Sequence, residues 1–241
     1  MPARNSRKEY VEDGYYHLYN RGVEKRKIFL DKQDQAVFLS YLKQYLLPKD
    51  EKALYERLTA KDISYAEKDK ILKLLRLNNF SDNISFLAYC LMPNHFHFFI
   101  RQNNAEAIDI FMNSLVTRYV MYFNKKYERI GGLFQGVYKA VRVTTNEQFI
   151  HLSRYIHRQA LDLQGPIPSG TVQGFTVQGV ALREKYPCSY GEYSGLRSTE
   201  WIKSEEVLAY FSKHNPTLTY ENFVRQGEGD GILDGLTLEE D

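Results

Sequence analysis

The chain has 241 residues, enough for one sizeable hydrophobic core with an insertion, and its 43% hydrophobic and 26% charged residues are typical of a globular protein. The net charge of +2 is too small to indicate a nucleic-acid partner by itself, but no Lys or Arg follows Arg225, so the preceding part is more basic than the total suggests. The sequence contains no membrane-spanning run, no apolar signal segment near its start and only two cysteines, which lack a metal-type spacing. We therefore expect a cytoplasmic protein with two unpaired thiols and no membrane contact.

The first part of the chain predicts a strand, a helix and an insertion. Tyr15–Asn20 alternates and is rich in tyrosine, which favours a strand, and His17 on it is expected to make an ordinary hydrogen bond. Asp31 is placed to cap a helix whose apolar residues recur at helical spacing until Pro48 stops it. The charged segment 49–83 contains two short helical patterns and is too short for its own core, so it predicts a helical insertion.

Two further strands, Ile84–Met92 and His95–Ile100, flank the turn dipeptide Pro93-Asn94. Side chains alternate along a strand, so His95 and His97 share one face, while the apolar residues between and after them share the opposite, buried face. Two neighbouring imidazoles suit a divalent cation if a third ligand comes from elsewhere. The alternative is a pair of histidines that only form hydrogen bonds at a sheet edge.

The next elements complete a recognisable order. Residues 105–126 have the apolar spacing of an amphipathic helix, and Phe134–Val143 predicts another strand. Thr145 and Gln148 form a capping-box pattern that opens a helix through about Leu161. The order strand, helix, strand, strand, helix, strand predicts an α+β protein with a ferredoxin-like βαββαβ core and an antiparallel sheet, to which the last helix is added.

The domain boundaries follow from this order. We expect one domain over residues 10–195, with the helical insertion at 49–83, and a C-terminal helical extension with an acidic tail over 196–241. The Gly- and Pro-rich segment Gln164–Gln178 contains the sequence TVQG twice and predicts a loop or small hairpin.

The last helix of the core carries a second group of candidate residues. Tyr155 and Gln159 are four residues apart and share a helical face. The amide oxygen of Gln159 is an acceptable ligand for a hard cation when two imidazoles supply the others, and Tyr155 would place its hydroxyl near that ion. This arrangement suggests phosphoryl transfer with a phenol as the nucleophile. His151, one turn earlier, is either a proton acceptor or a packing residue.

Six segments carry a family resemblance, which runs in order over most of the chain. They are YHLYNRG (Tyr16–Gly22), AYCLMPNHFHFFI (Ala88–Ile100), RYVMYFNKKY (Arg118–Tyr127), GGLFQGVYKA (Gly131–Ala140), RYIHRQ (Arg154–Gln159) and YPCSY (Tyr186–Tyr190). In these segments the chain resembles the single-tyrosine HUH transposases, and most closely the REP-associated tyrosine transposases. MPNHFH followed at this separation by RYIH is far more specific than a lone His-x-His.

The resemblance implies a nuclease with a Mg²⁺ or Mn²⁺ site formed by His95, His97 and Gln159. It also implies that Tyr155 forms a 5′-phosphotyrosine link to single-stranded DNA and frees a 3′-OH. Typical members have Asn where this chain has Gln159, so either the ligand has changed within its chemical type or the metal is held otherwise. His157 belongs to the RYIH motif and is assigned to packing or to DNA contact. Family members occur as monomers and as homodimers, and both states stay open here.

Two functions from different classes follow. The favoured one is an enzyme that nicks and rejoins single-stranded DNA at hairpin or palindromic ends, and the alternative is a non-catalytic nucleic-acid-binding module of the same fold. In either case phosphates would meet cationic side chains and bases would stack on aromatic rings. The candidates for these contacts are Arg118, Tyr119, Tyr122, Lys125 and Lys126.

Overall fold

The computed structural model describes residues 8, 10–162, 182–212, 215–226, 232, 233 and 236. The main elements in chain order are β1 (Tyr15–Arg21), α1 (Lys32–Leu46), α2 (Glu51–Leu58), α3 (Tyr65–Arg76), β2 (Ile84–Met92), β3 (His95–Gln102), α4 (Ala107–Lys126), β4 (Lys139–Val143) and α5 (Asn146–Ala160). They are followed by β5 (Leu161–Asp162), β6 (Arg183–Glu184), α6 (Tyr190–Tyr193), α7 (Glu205–Leu208) and α8 (Tyr220–Arg225). No helix within these described ranges is long and apolar enough to cross a membrane.

Four strands form an antiparallel sheet in the order β2-β3-β1-β4. This order, with β1 between β3 and β4, is the one that a βαββαβ unit produces, so the predicted α+β class and ferredoxin-like core are confirmed. The last strand is shorter than Phe134–Val143. Phe134 meets β1 only through an isolated bridge to Gly22, and Gly136, with a φ of 153°, lies before the regular ladder begins at Lys139.

The two faces of the sheet are buried by different helices. Helices α1 and α4 cover the face that carries Leu18, Phe96 and Phe98. Helix α5 and the described C-terminal helices cover the opposite face, where Phe99 packs against α5. Because successive side chains of β3 alternate between these faces, His97 lies on the α5 side. The histidines of β3 are therefore enclosed between the sheet and α5.

Capping groups fix where α1 and α5 begin. Asp31 accepts a hydrogen bond from the backbone of Asp34, and Thr145 accepts one from the backbone of Gln148, with the reciprocal bond present in each capping box. Each cap contributes about 1 kcal/mol to helix stability. The predicted caps are thus confirmed, and the Thr145 cap sets the position of every side chain that α5 directs at the sheet.

The C-terminal region packs onto the edge of the sheet. Cys90 and Cys188 are both buried free thiols and face each other in an isolated antiparallel bridge, in agreement with two unpaired cysteines. Further along, Ile202 bridges to Phe86, and Trp201 is buried in the same cluster. The predicted loop 164–178 lies outside the described residues.

Candidate functional site

A pair of buried histidines from neighbouring strands forms the centre of the site. His17 of β1 and His97 of β3 are both fully buried, and their rings stack with centroids 5.0 Å apart. Nε2 of His17 lies 2.9 Å from Nδ1 of His97. The other nitrogen of His97, Nε2, is buried and has no hydrogen-bond partner among the described residues. A buried imidazole nitrogen without a hydrogen-bond partner is a potential metal ligand.

His95 lies beside His97 on the same face of β3, as the alternation predicts, with ring centroids 5.0 Å apart. Nδ1 of His95 is 2.7 Å from Oδ1 of Asn94. The amide nitrogen of Asn94 donates to the carbonyl of Lys25, which turns its oxygen toward His95. Since an amide oxygen only accepts, Nδ1 of His95 donates the proton, and Nε2 of the neutral ring keeps its lone pair.

Burial keeps these imidazoles neutral. Desolvation lowers the pKa of His17 to about 4 and that of His95 to about 4, with the Arg21 charge adding to the effect at His95. Desolvation also holds the pKa of His97 well below its usual value. Neutral imidazole is the form that binds metal ions, so all three side chains are in the ligating protonation state at neutral pH.

Helix α5 brings Tyr155 to this group. The Tyr155 ring lies edge-on to His97, with centroids 5.5 Å apart, and its centroid is 6.0 Å from that of His17. Only 8% of Tyr155 is exposed. Gln159 follows one turn later on the same helical face and is half-buried. The structure therefore brings the predicted nucleophile next to one of the two predicted histidine ligands.

The predicted donors are two imidazole nitrogens and one amide oxygen, which are ligand types that a divalent cation accepts. Within the described part of the chain, no group of three or more His, Cys, Asp or Glu side chains is close enough together to hold a metal ion. A site here would use the Nε2 atoms of His95 and His97 and the amide oxygen of Gln159. Mixed imidazole and oxygen ligands suit Mn²⁺, and water would complete the shell.

The two histidines that flank Tyr155 in sequence have other partners. Nδ1 of His151 accepts a hydrogen bond from the Arg154 guanidinium at 2.8 Å. Its lone pair is therefore occupied, which argues against His151 as the proton acceptor for Tyr155. His157 is fully buried, with Nδ1 2.6 Å from the Tyr220 hydroxyl and Nε2 2.8 Å from Ser189 Oγ. His157 is thus a packing residue, and the alternative that it contacts DNA is wrong.

The expected role of Tyr119 in base stacking is also wrong. Tyr119 is fully buried, and its hydroxyl donates to the carbonyl of Ile28. A ring without exposed surface cannot stack on a base. The sequence contained the signal for this, because Tyr119 follows Phe111 and Leu115 at intervals of four residues, on the buried stripe of α4.

Two more of the α4 candidates are held by a buried carboxylate. Lys126 Nζ lies 2.8 Å from Asp34 Oδ1, and the Tyr122 hydroxyl donates to the same oxygen at 3.1 Å. Arg118 donates to the Gln44 side chain and lies over the Tyr41 ring. These contacts give the three side chains structural roles. Lys125 is exposed and stays a candidate for a phosphate contact.

Sequence reasoning missed two residues at the site. His17 was assigned an ordinary hydrogen bond, yet its partner is His97. Arg21 pairs directly with His95 across β1 and β3, and its buried Nε has no hydrogen-bond partner among the described residues. Both could have been found from the fold, because a βαββαβ sheet places β1 beside β3 and alternation then puts odd-numbered residues of both strands on one face.

Comparison with known proteins supports the family resemblance over part of the chain. The family model described as "Transposase IS200 like" matches residues 57–159, a range that contains His95, His97, Tyr155 and Gln159. The matched range is less than half of the 241 residues, and over this range the chain is similar to IS200-like transposases. The match begins within α2, so it does not include β1 or the segment Tyr186–Tyr190. No curated protein matches this chain.

Solved structures resemble this chain only weakly. A REP-associated tyrosine transposase bound to a REP hairpin aligns with a TM-score of 0.39 and 12% identity over 64% of this chain and 71% of that chain. A candidate transposase from Deinococcus radiodurans R1 gives 0.26 and 16% over 64% and 97%. The tRNA(His) guanylyltransferase from Saccharomyces cerevisiae gives 0.30 and 13% over 64% and 62%. Similarities of this size assign no function.

Proposed function

We propose that this chain cleaves and rejoins single-stranded DNA, with Tyr155 as the nucleophile and with a divalent metal, Mg²⁺ or Mn²⁺, held by His95, His97 and Gln159. The observation that carries the proposal is the contact between the Tyr155 ring and His97, whose buried Nε2 has no partner among the described residues. Helix α5 and strand β3 thus bring a phenol next to an imidazole nitrogen with an unshared lone pair, although Tyr155 and His97 are 58 residues apart in sequence.

The reaction uses the Tyr155 oxygen. It attacks the scissile phosphorus, the bond from phosphorus to the 3′ oxygen breaks, and the 5′ phosphate stays linked to Tyr155 while the 3′-OH is released. Attack by a 3′-OH on this ester reverses the step, rejoins the DNA and returns the phenol. A phenol with a pKa of about 10 is protonated at neutral pH, so its proton must be lost on attack. A bound divalent ion would polarise the phosphate and favour this loss.

Cationic side chains at one end of the sheet support a DNA substrate. Arg21 lies opposite His95, and Lys139 lies opposite Tyr19, on the face that also carries His97. Lys139 is exposed, and Arg21 has a guanidinium nitrogen without a partner among the described residues. Phosphates of a single strand would contact these two residues, while the hairpin end is the substrate feature that the family implies. A DNA substrate also agrees with the cytoplasmic location expected from the sequence.

One observation favours the alternative, a nucleic-acid-binding module without the reaction. Tyr155 is only 8% exposed in the described conformation, so a DNA phosphate must gain access to a largely buried side chain. A protein that had lost the reaction could retain the phenol as a packing residue. The two functions predict different results for covalent attachment of DNA.

The experiment incubates the protein with a 3′-labelled hairpin oligonucleotide that carries a single-stranded flank, in the presence of Mn²⁺, because the fragment that stays linked to Tyr155 contains the 3′ end. We expect a covalent protein–DNA adduct that survives denaturation. Tyr155→Phe removes only the hydroxyl and should abolish the adduct. Tyr19→Phe is the matched control, because the Tyr19 ring is also buried beside His97, at 5.8 Å, and this variant should still form the adduct.

The metal part is tested with Gln159→Ala. This variant keeps the nucleophile but loses one proposed ligand, so its defect should ease at high Mn²⁺ concentration, whereas the defect of Tyr155→Phe should not. An adduct mapped to another tyrosine would overturn the assignment of Tyr155. The absence of any adduct on hairpins that the protein binds would favour the binding module.

A further inference from the structure

We propose that His17 is a positioning residue that fixes the tautomer of His97 and so directs the Nε2 lone pair of His97 to the metal. The inference rests on the proposed function, because it takes His97 as a metal ligand. His17 lies 80 residues before His97, outside the segment that matches the transposase family. Its role is argued from three groups: the backbone carbonyl of Leu236, the ring of His17 and the ring of His97.

The backbone carbonyl oxygen of Leu236 can only accept a hydrogen bond. Nδ1 of His17 is hydrogen-bonded to this carbonyl, so Nδ1 carries the proton. His17 is fully buried, where a charged imidazole is unfavourable, so its Nε2 is an unprotonated acceptor. The 2.9 Å contact requires a proton between Nε2 of His17 and Nδ1 of His97, so His97 must donate it from Nδ1. His97 is fully buried as well, and its Nε2 has no partner among the described residues, so this nitrogen keeps an unshared lone pair.

The opposite proton arrangement is unfavourable in this environment. If His97 carried its proton on Nε2, its Nδ1 could only accept, and His17 would have to donate from Nε2. Nδ1 of His17 would then oppose the Leu236 carbonyl with two lone pairs facing each other. Both imidazoles are fully buried, and Leu236 is 2% exposed, so water would not readily relieve that contact. An unsatisfied buried pair of acceptors is costly, and the chain of hydrogen bonds therefore selects one tautomer.

This arrangement has a direct consequence for metal binding. Histidine ligands generally donate their second ring N–H to a carbonyl, a carboxylate or a water, which fixes the ring and raises the basicity of the ligating nitrogen. Asn94 accepts this hydrogen bond from His95, and His17 accepts it from His97. The Leu236 carbonyl is the last acceptor in the chain of hydrogen bonds, so the C-terminal extension contributes to the orientation of His97.

Three substitutions of His17 separate positioning from packing. His17→Gln places an amide oxygen near the position of Nε2, where it can still accept from His97. His17→Asn is shorter and retains a polar group only near the position of Nδ1, next to Leu236. His17→Phe keeps a ring of similar size but offers no acceptor. If His17 acts through its acceptor, Gln should preserve the function, while Asn and Phe should impair it to a similar degree.

The first measurement needs neither metal nor activity. Long-range ¹H–¹⁵N correlation spectra of the metal-free protein report which nitrogen of each histidine carries the proton. We expect His97 to be protonated at Nδ1 in the wild-type protein and in His17→Gln. In His17→Phe and His17→Asn we expect a shift toward the Nε2-protonated form. Circular dichroism identifies any variant that fails to fold, and the wild-type spectrum alone already tests the tautomer.

The second measurement is the dissociation constant for Mn²⁺, obtained by titration calorimetry. Loss of such an outer partner typically weakens metal binding by about 10- to 100-fold, which we expect for His17→Phe and His17→Asn but not for His17→Gln. An Nε2-protonated His97 in the wild-type protein would overturn the proposal, and so would wild-type Mn²⁺ affinity in both His17→Phe and His17→Asn. If the wild-type protein binds no Mn²⁺, the metal part of the proposed function fails, and the tautomer spectra still decide the role of His17.

Discussion

Mild acid should destabilise this protein through its buried histidines. His17 and His157 are both fully buried, and desolvation lowers their pKa values to about 4 and about 3, with the Arg197 charge adding to the effect at His157. The unfolded chain has ordinary histidines with a pKa of about 6.5. Between these values the unfolded state binds more protons than the native state, so the free energy of unfolding falls as the pH is lowered from about 6.5 toward about 4.

The loss of unfolding free energy at a given pH depends on how far that pH lies below the pKa of the unfolded histidine while the native histidine is still neutral. At about pH 5 each unfolded histidine lies roughly 1.5 pH units below its pKa while the native one is still mostly neutral, which costs about 2 kcal/mol per residue. His17 and His157 together should remove roughly 4 kcal/mol, a large part of the roughly 5–15 kcal/mol of a typical domain. Carboxylates with lowered pKa values, such as Asp34, titrate below this window and add little at pH 5.

Urea unfolding followed by circular dichroism at several pH values between about 7.5 and about 5 measures this loss. His157→Gln is the informative variant, because His157 lies outside the proposed metal site and contacts Tyr220 and Ser189. The variant should lose about 2 kcal/mol less than the wild-type protein over this range, whatever its stability at neutral pH. A wild-type unfolding free energy that does not change over this range would refute the reasoning, as would an unchanged slope in His157→Gln.

Two further predictions test the charged groups. Arg21→Ala should weaken binding of single-stranded DNA and lower the slope of log affinity against log salt by about 0.7, since one phosphate contact is lost, whereas Arg142→Ala on the exposed opposite face of β4 should not. Binding measured by fluorescence anisotropy at several salt concentrations decides this, and equal slopes in both variants would exclude Arg21 from the interface. Asp34→Ala should lower the free energy of unfolding by about 3 kcal/mol, because Asp34 accepts hydrogen bonds from two tyrosines, a lysine and two backbone groups. Asp69→Ala, which breaks an exposed ion pair with Lys73, should change it by less than about 1 kcal/mol, and similar losses in the two variants would contradict the role of Asp34.

The sequence predicted those parts of the site that depend on local periodicity. Alternation placed His95 and His97 on one face, and the helical repeat placed Tyr155 and Gln159 together, because both patterns are properties of a single element. The contact between His17 and His97 depends instead on the register of two strands, in which Tyr19 lies opposite His97. That register is set by the sheet as a whole.

The α4 candidates failed for a similar reason. A sequence shows which helical residues are cationic or aromatic, but not which of them meet a carboxylate from another helix. Asp34 is the third residue of α1 and closes its capping box, and its side chain also reaches Lys126 at the end of α4. The packing of α1 against α4 brings these groups together, and only the folded structure shows that Lys126 is engaged.

Side-chain burial changes along β3, and this change indicates the direction from which DNA would reach the proposed site. Phe99 and His97 are fully buried, whereas His95, at the start of the strand, is partly exposed. Arg21 lies opposite His95 at this same end of the sheet, and Lys139 begins β4 there. The burial that keeps the imidazoles neutral thus also closes the inner part of the site, while exposure and positive charge increase together toward His95. A phosphate in the proposed reaction would approach past Arg21 and His95 before it meets His97 and Tyr155.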